Sequence, residues 1–438
     1  MGGDSLILLV NSFEAIFDLI DNVIAPILIA WWWVIPPLFL FRYVPKFWLL
    51  WRQSLEIKKR KYVMLEIKLP TEILKPVRAM EDVMSALFLV VVDPDPTGNI
   101  REKWIDGDNT LYPHLSFEIA SFGGQTKFFI RVNAPYRDVV ESAIYAQYPE
   151  VQIEETEDYT DFVPQDIPNK GWDLENREWV LGKPSPYPIK TYMKFETEHE
   201  SKEEKRVDSM ARMLEALSTI KEGEQIWFQI IVTLPKDDLA KEGGKIRDGL
   251  VFRPDKSPKP QPMIIQAINL FSGAPEKKEE EKQLLPPEMK LTPGEREVVK
   301  EIEAKIAKSG FETTVRIFYL AKREVWFKPH LGLPIAFLTS HNTRDLNAFK
   351  VFKPTTSKIK TPFKILDKRR QFLRKRRAFR NYKMRVNPLF PNLGGTSVLN
   401  AEELATLFHF PSRVMAPAPF VERIEHKRGE APSGLPIE

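Results

Sequence analysis

The sequence predicts an α+β protein: an N-terminal transmembrane helix followed by two ferredoxin-like (split βαβ) sandwiches. Three observations lead there. Val23–Phe41 is a nineteen-residue run without a charged side chain. Behind it, alternating strands and 3.6-period helices follow one another in the order β-α-β-β-α-β. A comparable series of elements restarts near Ile189.

The 438 residues suffice for two or three domains, and 43% hydrophobic with 28% charged residues suits ordinary folded cores. A net charge of only +4 excludes a general polycation, so an anionic partner must be met by a local patch. The chain has no cysteine, which removes disulfides, thiolate catalysis and thiolate zinc sites. The histidines are scattered, and no HExxH motif is present.

Residues 1–22 predict an amphipathic helix, with Asn11, Glu14, Asp18 and Asp21 on one face and Leu9, Phe13, Ile16 and Ile20 on the other. Residues 23–61 predict the transmembrane segment and a basic juxtamembrane helix. A helix the length of Val23–Phe41 spans ~28 Å, near the hydrocarbon thickness of a bilayer. Pro36 and Pro37 predict a kink or an early end. Before the run stand four acidic residues and no Lys or Arg; after it come Arg42, Lys46, Arg52, Lys58, Lys59, Arg60 and Lys61. That asymmetry predicts a single pass with the N-terminus outside and the body in the cytoplasm. A cleaved signal peptide needs the opposite charge order, so an uncleaved anchor is expected. Trp48, Trp51, Arg52, Lys58, Lys59 and Arg60 are the candidate membrane-interface residues, since amphipathic rings and cations favour the headgroup level.

Residues 62–160 predict the first ferredoxin-like domain. Tyr62–Leu69 alternates as a half-buried strand. Met80, Val83, Met84 and Leu87 mark a helix. Leu115–Ser121 and Lys127–Asn133 flank a Gly123-Gly124 hairpin turn. A helix opens at Pro135, and Val151–Glu155 closes the unit. Residues 161–188 read as a polar connector. Residues 189–410 predict the second domain: a strand at Ile189–Phe195, a helix through Met210–Leu217, strands at Gln225–Thr233 and Thr313–Ala321, and a helix over Gly332–Phe349. Residues 252–291, dense in Pro, Lys and Glu, predict a mobile insertion. Thr292-Pro293-Gly294-Glu295 is a capping box that opens a helix ending at Ser309-Gly310. Residues 411–438 read as a Pro-rich extended tail.

No GxxxxGK[ST], GxSxG or GxGxxG motif occurs, and the acidic runs Glu154–Asp158 and Glu279–Glu281 read as solvated surface. Neither a catalytic residue, a cofactor nor a metal site is expected. The most suggestive patch is a basic helix over 366–385. In it Arg369, Arg370, Arg374, Lys375, Arg376, Arg377 and Arg380 are candidate polyanion-binding residues, with Phe372, Phe379 and Tyr382 interleaved. DNA phosphates, anionic lipid and the acidic connector Glu154–Asp161 are alternative counterparts, and a plain solvated helix is the bland one.

Several segments carry a resemblance. They are KYVMLEIKLPTEILKPVRAMEDVMSAL from Lys61, SFEIASFGGQTKFFIRVNAPYRDVVESAIYAQYPEVQIEETEDY from Ser116, YPIKTYMKFE from Tyr187, GEQIWFQIIV from Gly223 and VLNAEELATLFHFPSRVMAPAP from Val398. Together they resemble the membrane-anchored N-terminal region of type IV secretion or conjugation-type DNA-transfer ATPases of uncultured small-genome bacteria (candidate phyla), a domain of unknown function. Glu403–Pro411 is the most specific part. In that family a P-loop motor often follows; this chain stops at Glu438, where the motor would begin, so the family's catalytic residues have no counterpart here. The resemblance implies a non-catalytic inner-membrane scaffold in a type IV secretion or conjugation-like system that organises or recruits a motor ATPase. A membrane-tethered nucleic-acid-binding protein is the alternative. The implied partners are the lipid bilayer, a separate P-loop motor ATPase or other secretion-complex subunits, DNA, and further copies of the chain.

Overall fold

A computed structural model describes residues 26, 30, 32–70, 73, 75–91, 114–197, 208–234, 238–252, 291–359, 366–387, 394–411 and 423–424. The chain divides into two compact units, Met1–Arg60 with Asp95–Leu111, and Lys61–Pro94 with Tyr112–Glu438.

In the first unit a 3-10 turn (Trp32–Val34) leads into helix α1 (Ile35–Phe41), and α2 spans Val44–Lys59. Pro36 and Pro37 sit in the first turn of α1. They open a helix rather than end one, because the first-turn N–H groups have no intrahelical partner to lose. Among the described residues no helix is long and apolar enough to cross a membrane; much of Val23–Phe41, and all of the amphipathic segment 1–22, lies outside them.

The second unit is a mixed α/β body on one large, antiparallel sheet. In chain order it holds β1 (Tyr62–Pro70), α3 (Val77–Val91), β2 (Leu115–Phe122), β3 (Gln125–Asn133), α4 (Arg137–Gln147) and β4 (Gln152–Thr156). Then come β5 (Trp172–Leu181), α5 (Tyr192–Thr197), α6 (Ser209–Ser218), β6 (Glu224–Thr233), α7 (Leu239–Val251), α8 (Pro293–Ile306) and β7 (Gly310–Lys322). Last are α9 (Gly332–Ser340), β8 (Phe349–Val351), α10 (Asp367–Met384), β9 (Ser397–Asn400), α11 (Ala401–Leu407) and β10 (Arg423–Ile424).

The first four strands lie side by side as β4-β1-β3-β2 and the next four as β8-β5-β7-β6, all antiparallel. The second strand of each set pairs with that of the other, Leu115–Phe122 against Gln225–Val232. The two strand sets are therefore joined edge to edge through backbone hydrogen bonds, which removes an unpaired edge from each.

Strand alternation gives the sheet two buried faces. On one, Leu65, Phe117, Phe128, Phe228 and Ile317 pack under α3, α4, α6, α9 and α11. On the other, Met64, Phe129, Trp227 and Phe318 pack under α10 and the 3-10 turn Tyr159–Asp161. The hairpin between β2 and β3 turns at Gly123 and Gly124, both at positive φ. A Cβ on Gly124 would stand 2.8 Å from the Ser218 carbonyl oxygen.

Three expectations are corrected. The connector 161–188 contains β5, a ten-residue strand at the heart of the second set. Its sequence, WDLENREWVL, lacks apolar alternation because its charges are paired: Glu178 with Arg316 at 2.9 Å, and Glu175 with Arg177 at 2.9 Å. Ile189–Phe195 is not a strand. Its backbone is taken up by side chains instead: Ile189 N–H donates to Glu403 Oε1 and Tyr192 N–H to Thr406 Oγ1. The helix expected over Gly332–Phe349 stops at Ser340, whose hydroxyl donates to the Phe337 carbonyl, and Phe349–Val351 is a strand. By contrast, the capping box at Thr292–Glu295 is present as read.

The C-terminal segment is threaded through the core. Asn400 and Glu403 form a second capping box, and Glu403 also pairs with the buried Lys305 at 2.8 Å. Phe408 contacts Phe117 and Phe128, and Phe410 contacts Phe128 and Tyr148. His409 bridges the Ala405 carbonyl and Asp208, the N-cap of α6. Of the tail after residue 411, Arg423–Ile424 pairs in parallel with Leu69–Pro70 of β1; its remaining residues lie outside the described ones.

Candidate polyanion-binding face

A transverse row of residues crosses the α10 side of the sheet. Cross-strand register places Glu66 opposite Phe129, Phe129 opposite Glu118, Glu118 opposite Gln229, Gln229 opposite Arg316 and Arg316 opposite Glu178. At its centre Glu118, Gln229, Arg316 and Glu178 are all buried. Charges so placed need partners, because leaving one uncompensated costs several kcal/mol.

The partners come from the end of α10. Arg385, at φ 52° as the helix C-cap, is fully buried. Its Nε and Nη2 donate to Glu118 at 2.9 and 3.1 Å, and it also pairs with Asp158. Burial alone would raise the Glu118 carboxyl, but the Arg385 guanidinium overrides it and holds Glu118 below the ordinary carboxylate range. Asp158 is held down in the same way, again against burial. Tyr159 donates to Glu118 at 2.5 Å and meets the Tyr382 hydroxyl at 2.7 Å; burial pushes both phenols well up. Arg316 donates to Glu178 at 2.9 Å and to the backbone carbonyls of Asn381 and Val386 at 3.3 and 2.5 Å. Both arginines thus tie the sheet to the C-terminal end of α10.

The same helix divides the predicted basic patch. Ala378, Phe379 and Tyr382 pack on Trp227 and Phe318, while Lys375 is buried and paired with Asp173 at 2.7 Å. Lys375 is therefore a structural cation and not a surface one: it falls on the helix flank that also carries Phe379 and Tyr382. Arg374 is half-buried and donates to the Thr356 carbonyl at 3.3 Å. Lys383 pairs with Asp161, so the acidic connector is the counterpart of the helix's C-terminal end. Arg369, Arg370, Arg376, Arg377 and Arg380 stay exposed, and no ion pair engages them among the described residues. Phe372, expected to dock, is 41% exposed beside the Arg376 guanidinium, 5.6 Å from its ring centre.

The candidate membrane-interface residues belong to the other unit. On α2, Trp48 and Trp51 are about half exposed, with ring centres 5.1 Å apart, and Arg52 lies 5.8 Å over Trp51. Lys59 is exposed and Arg60 half-buried at its end; Lys58 lies in the helix.

Sequence reading missed Glu118, Gln229 and Arg316, and it read Asp158 as solvated. The available signal was a lone carboxylate inside an apolar strand, SFEIASF, where burial demands a cation. Among the described residues no group of three or more His, Asp or Glu side chains is arranged to hold a metal ion. No family model matches the chain, and no curated protein matches it.

Proposed function

We propose that this chain is a non-catalytic, membrane-anchored scaffold of a type IV secretion or conjugation-like system. Its α+β body, two ferredoxin-like sandwiches fused at their second strands, holds a cationic helix toward a polyanion or an acidic surface of a cytoplasmic motor ATPase. One observation carries the reading: α10 is fastened to the sheet by buried Arg385, Lys375, Phe379 and Tyr382, while Arg369, Arg370, Arg376, Arg377 and Arg380 face outward. Buried charge is costly unless it is paired, and here the pairs Arg385–Glu118 and Lys375–Asp173 also hold the helix that carries the surface charge. The strand orders β4-β1-β3-β2 and β8-β5-β7-β6 support the ferredoxin-like assignment. The exposed Trp48 and Trp51 beside Arg52 support an interfacial α2.

Membrane fractionation tests it. The full chain is expected in the membrane pellet together with a P-loop ATPase, and replacement of the five outward arginines by Gln is expected to release the ATPase but not the chain. Recovery of the wild-type chain in the aqueous fraction, or an ATPase unaffected by the substitutions, would overturn it.

A further inference from the structure

Helix α10 does not lie flush with the body. On one flank runs an open groove of about 510 Å³, lined by Lys170, Arg323, Lys368, Phe372 and Lys375 around Asp173, the one carboxylate among the described residues that line it. That carboxylate is already engaged by Lys375 at 2.7 Å and Arg323 at 3.5 Å, so the groove keeps a surplus of positive charge. Arg323 is held in place by a bond from its Nε to the Asn169 carbonyl at 2.9 Å. On the opposite flank a second groove of about 300 Å³ is lined by Ile359, Arg370, Leu373, Arg374 and Arg377, with no carboxylate among the described residues that line it. Between the two stands the ridge of the helix, where Arg369, Arg376 and Arg380 recur at helical spacing.

A ridge with a cationic channel on either side has a specific complement. An α-helix is ~10–12 Å across with its side chains, and the B-form major groove is ~12 Å wide between two phosphate backbones. A planar lipid surface meets the ridge but not the recessed cations behind it. A single strand fills one channel and leaves the other empty. We propose that α10 seats in the major groove of double-helical DNA, with one sugar–phosphate backbone in each flanking groove. The contacts are mainly to phosphates, and the exposed Phe372 and Leu373 offer apolar contact to thymine methyls or deoxyribose. This rests on the cationic face assigned above and names its ligand.

The test uses the purified full chain in a neutral detergent, with fluorescence anisotropy against a DNA duplex, an RNA duplex and single-stranded DNA of one sequence, and flotation with anionic vesicles. Duplex DNA is expected to bind at least about tenfold tighter than the others, because the A-form major groove is too deep and narrow for the helix. The logarithm of affinity should fall steeply with that of salt. Lys170→Gln with Lys368→Gln in one groove, and Arg370→Gln with Arg377→Gln in the other, should each flatten that slope by about 1–2. An unchanged thermal midpoint serves as the folding control, and Arg376→Gln with Arg380→Gln on the ridge replaces any pair that fails it. Equal binding of all three nucleic acids, tighter binding of vesicles, or loss of slope from one groove only overturns the docking geometry and leaves the cationic face standing. No binding to any polyanion overturns the docking geometry and the polyanion as counterpart of the cationic face, while release of the ATPase in the fractionation test decides its acidic-protein counterpart separately.

Discussion

The Arg385 guanidinium donates to both carboxylate oxygens of Glu118, at 2.9 and 3.1 Å, and so fastens the end of α10 to a strand at the centre of the sheet. Replacing one partner strands the other charge in the interior. Arg385→Met is expected to cost about 3–5 kcal/mol in urea unfolding. Glu118→Gln with Arg385→Met should cost less than the sum of the single changes, since the two groups share one network. Additive losses would mean that the pair does not act as a unit.

Outward and inward cations of α10 should separate cleanly. Arg369→Gln, Arg376→Gln and Arg380→Gln are each expected to change stability by no more than about 0.5 kcal/mol, as surface substitutions do. Lys375→Met should cost more, by leaving Asp173 without its 2.7 Å partner. Thermal unfolding of the four variants checks this ordering.

Two histidines set opposing limbs of the stability–pH curve. Burial pushes His341 down to about 4. Below about pH 6.5 the unfolded chain takes up a proton that the native state refuses, so stability falls between 6.5 and about 4, by up to about 3 kcal/mol. Burial also opposes charge on His409, but Asp208, 2.8 Å away, prevails and raises it. Its contribution is complete below 6.5 and is lost as pH rises through the raised native value. Stability should peak near pH 6.5. His341→Gln should flatten the acid limb and His409→Gln the alkaline one in denaturation series across pH.

The C-terminal segment is a structural requirement of the body. A chain ending at residue 396 loses Glu403, Phe408 and Phe410 from the core and should not fold, whereas one ending at 411 should. Phe408→Ala is expected to cost about 3–5 kcal/mol. Circular dichroism and urea unfolding of the truncations decide the matter.

Much of the fold was legible because its signals were local. Alternation marked β1, β2, β3, β6 and β7, and Thr292–Glu295 announced α8 by its cap. What escaped was set by distant partners. β5 carries charges at inward positions that cations elsewhere in the fold make tolerable: Arg316 for Glu178, Arg177 and Lys328 for Glu175. The basic run looked uniform because residue type alone does not separate Lys375, buried against Asp173, from Arg376, which faces water. Glu118 finds its counter-ion 267 residues away.

Amide hydrogen exchange along α10 tests the central claim most directly. If the helix is fastened to the sheet, amides of Ala378–Tyr382 should exchange as slowly as those of β6, and Arg385→Met should speed α10 while β6 stays protected. Exchange of α10 in the unaltered chain at the rate of a loosely held surface helix would contradict it.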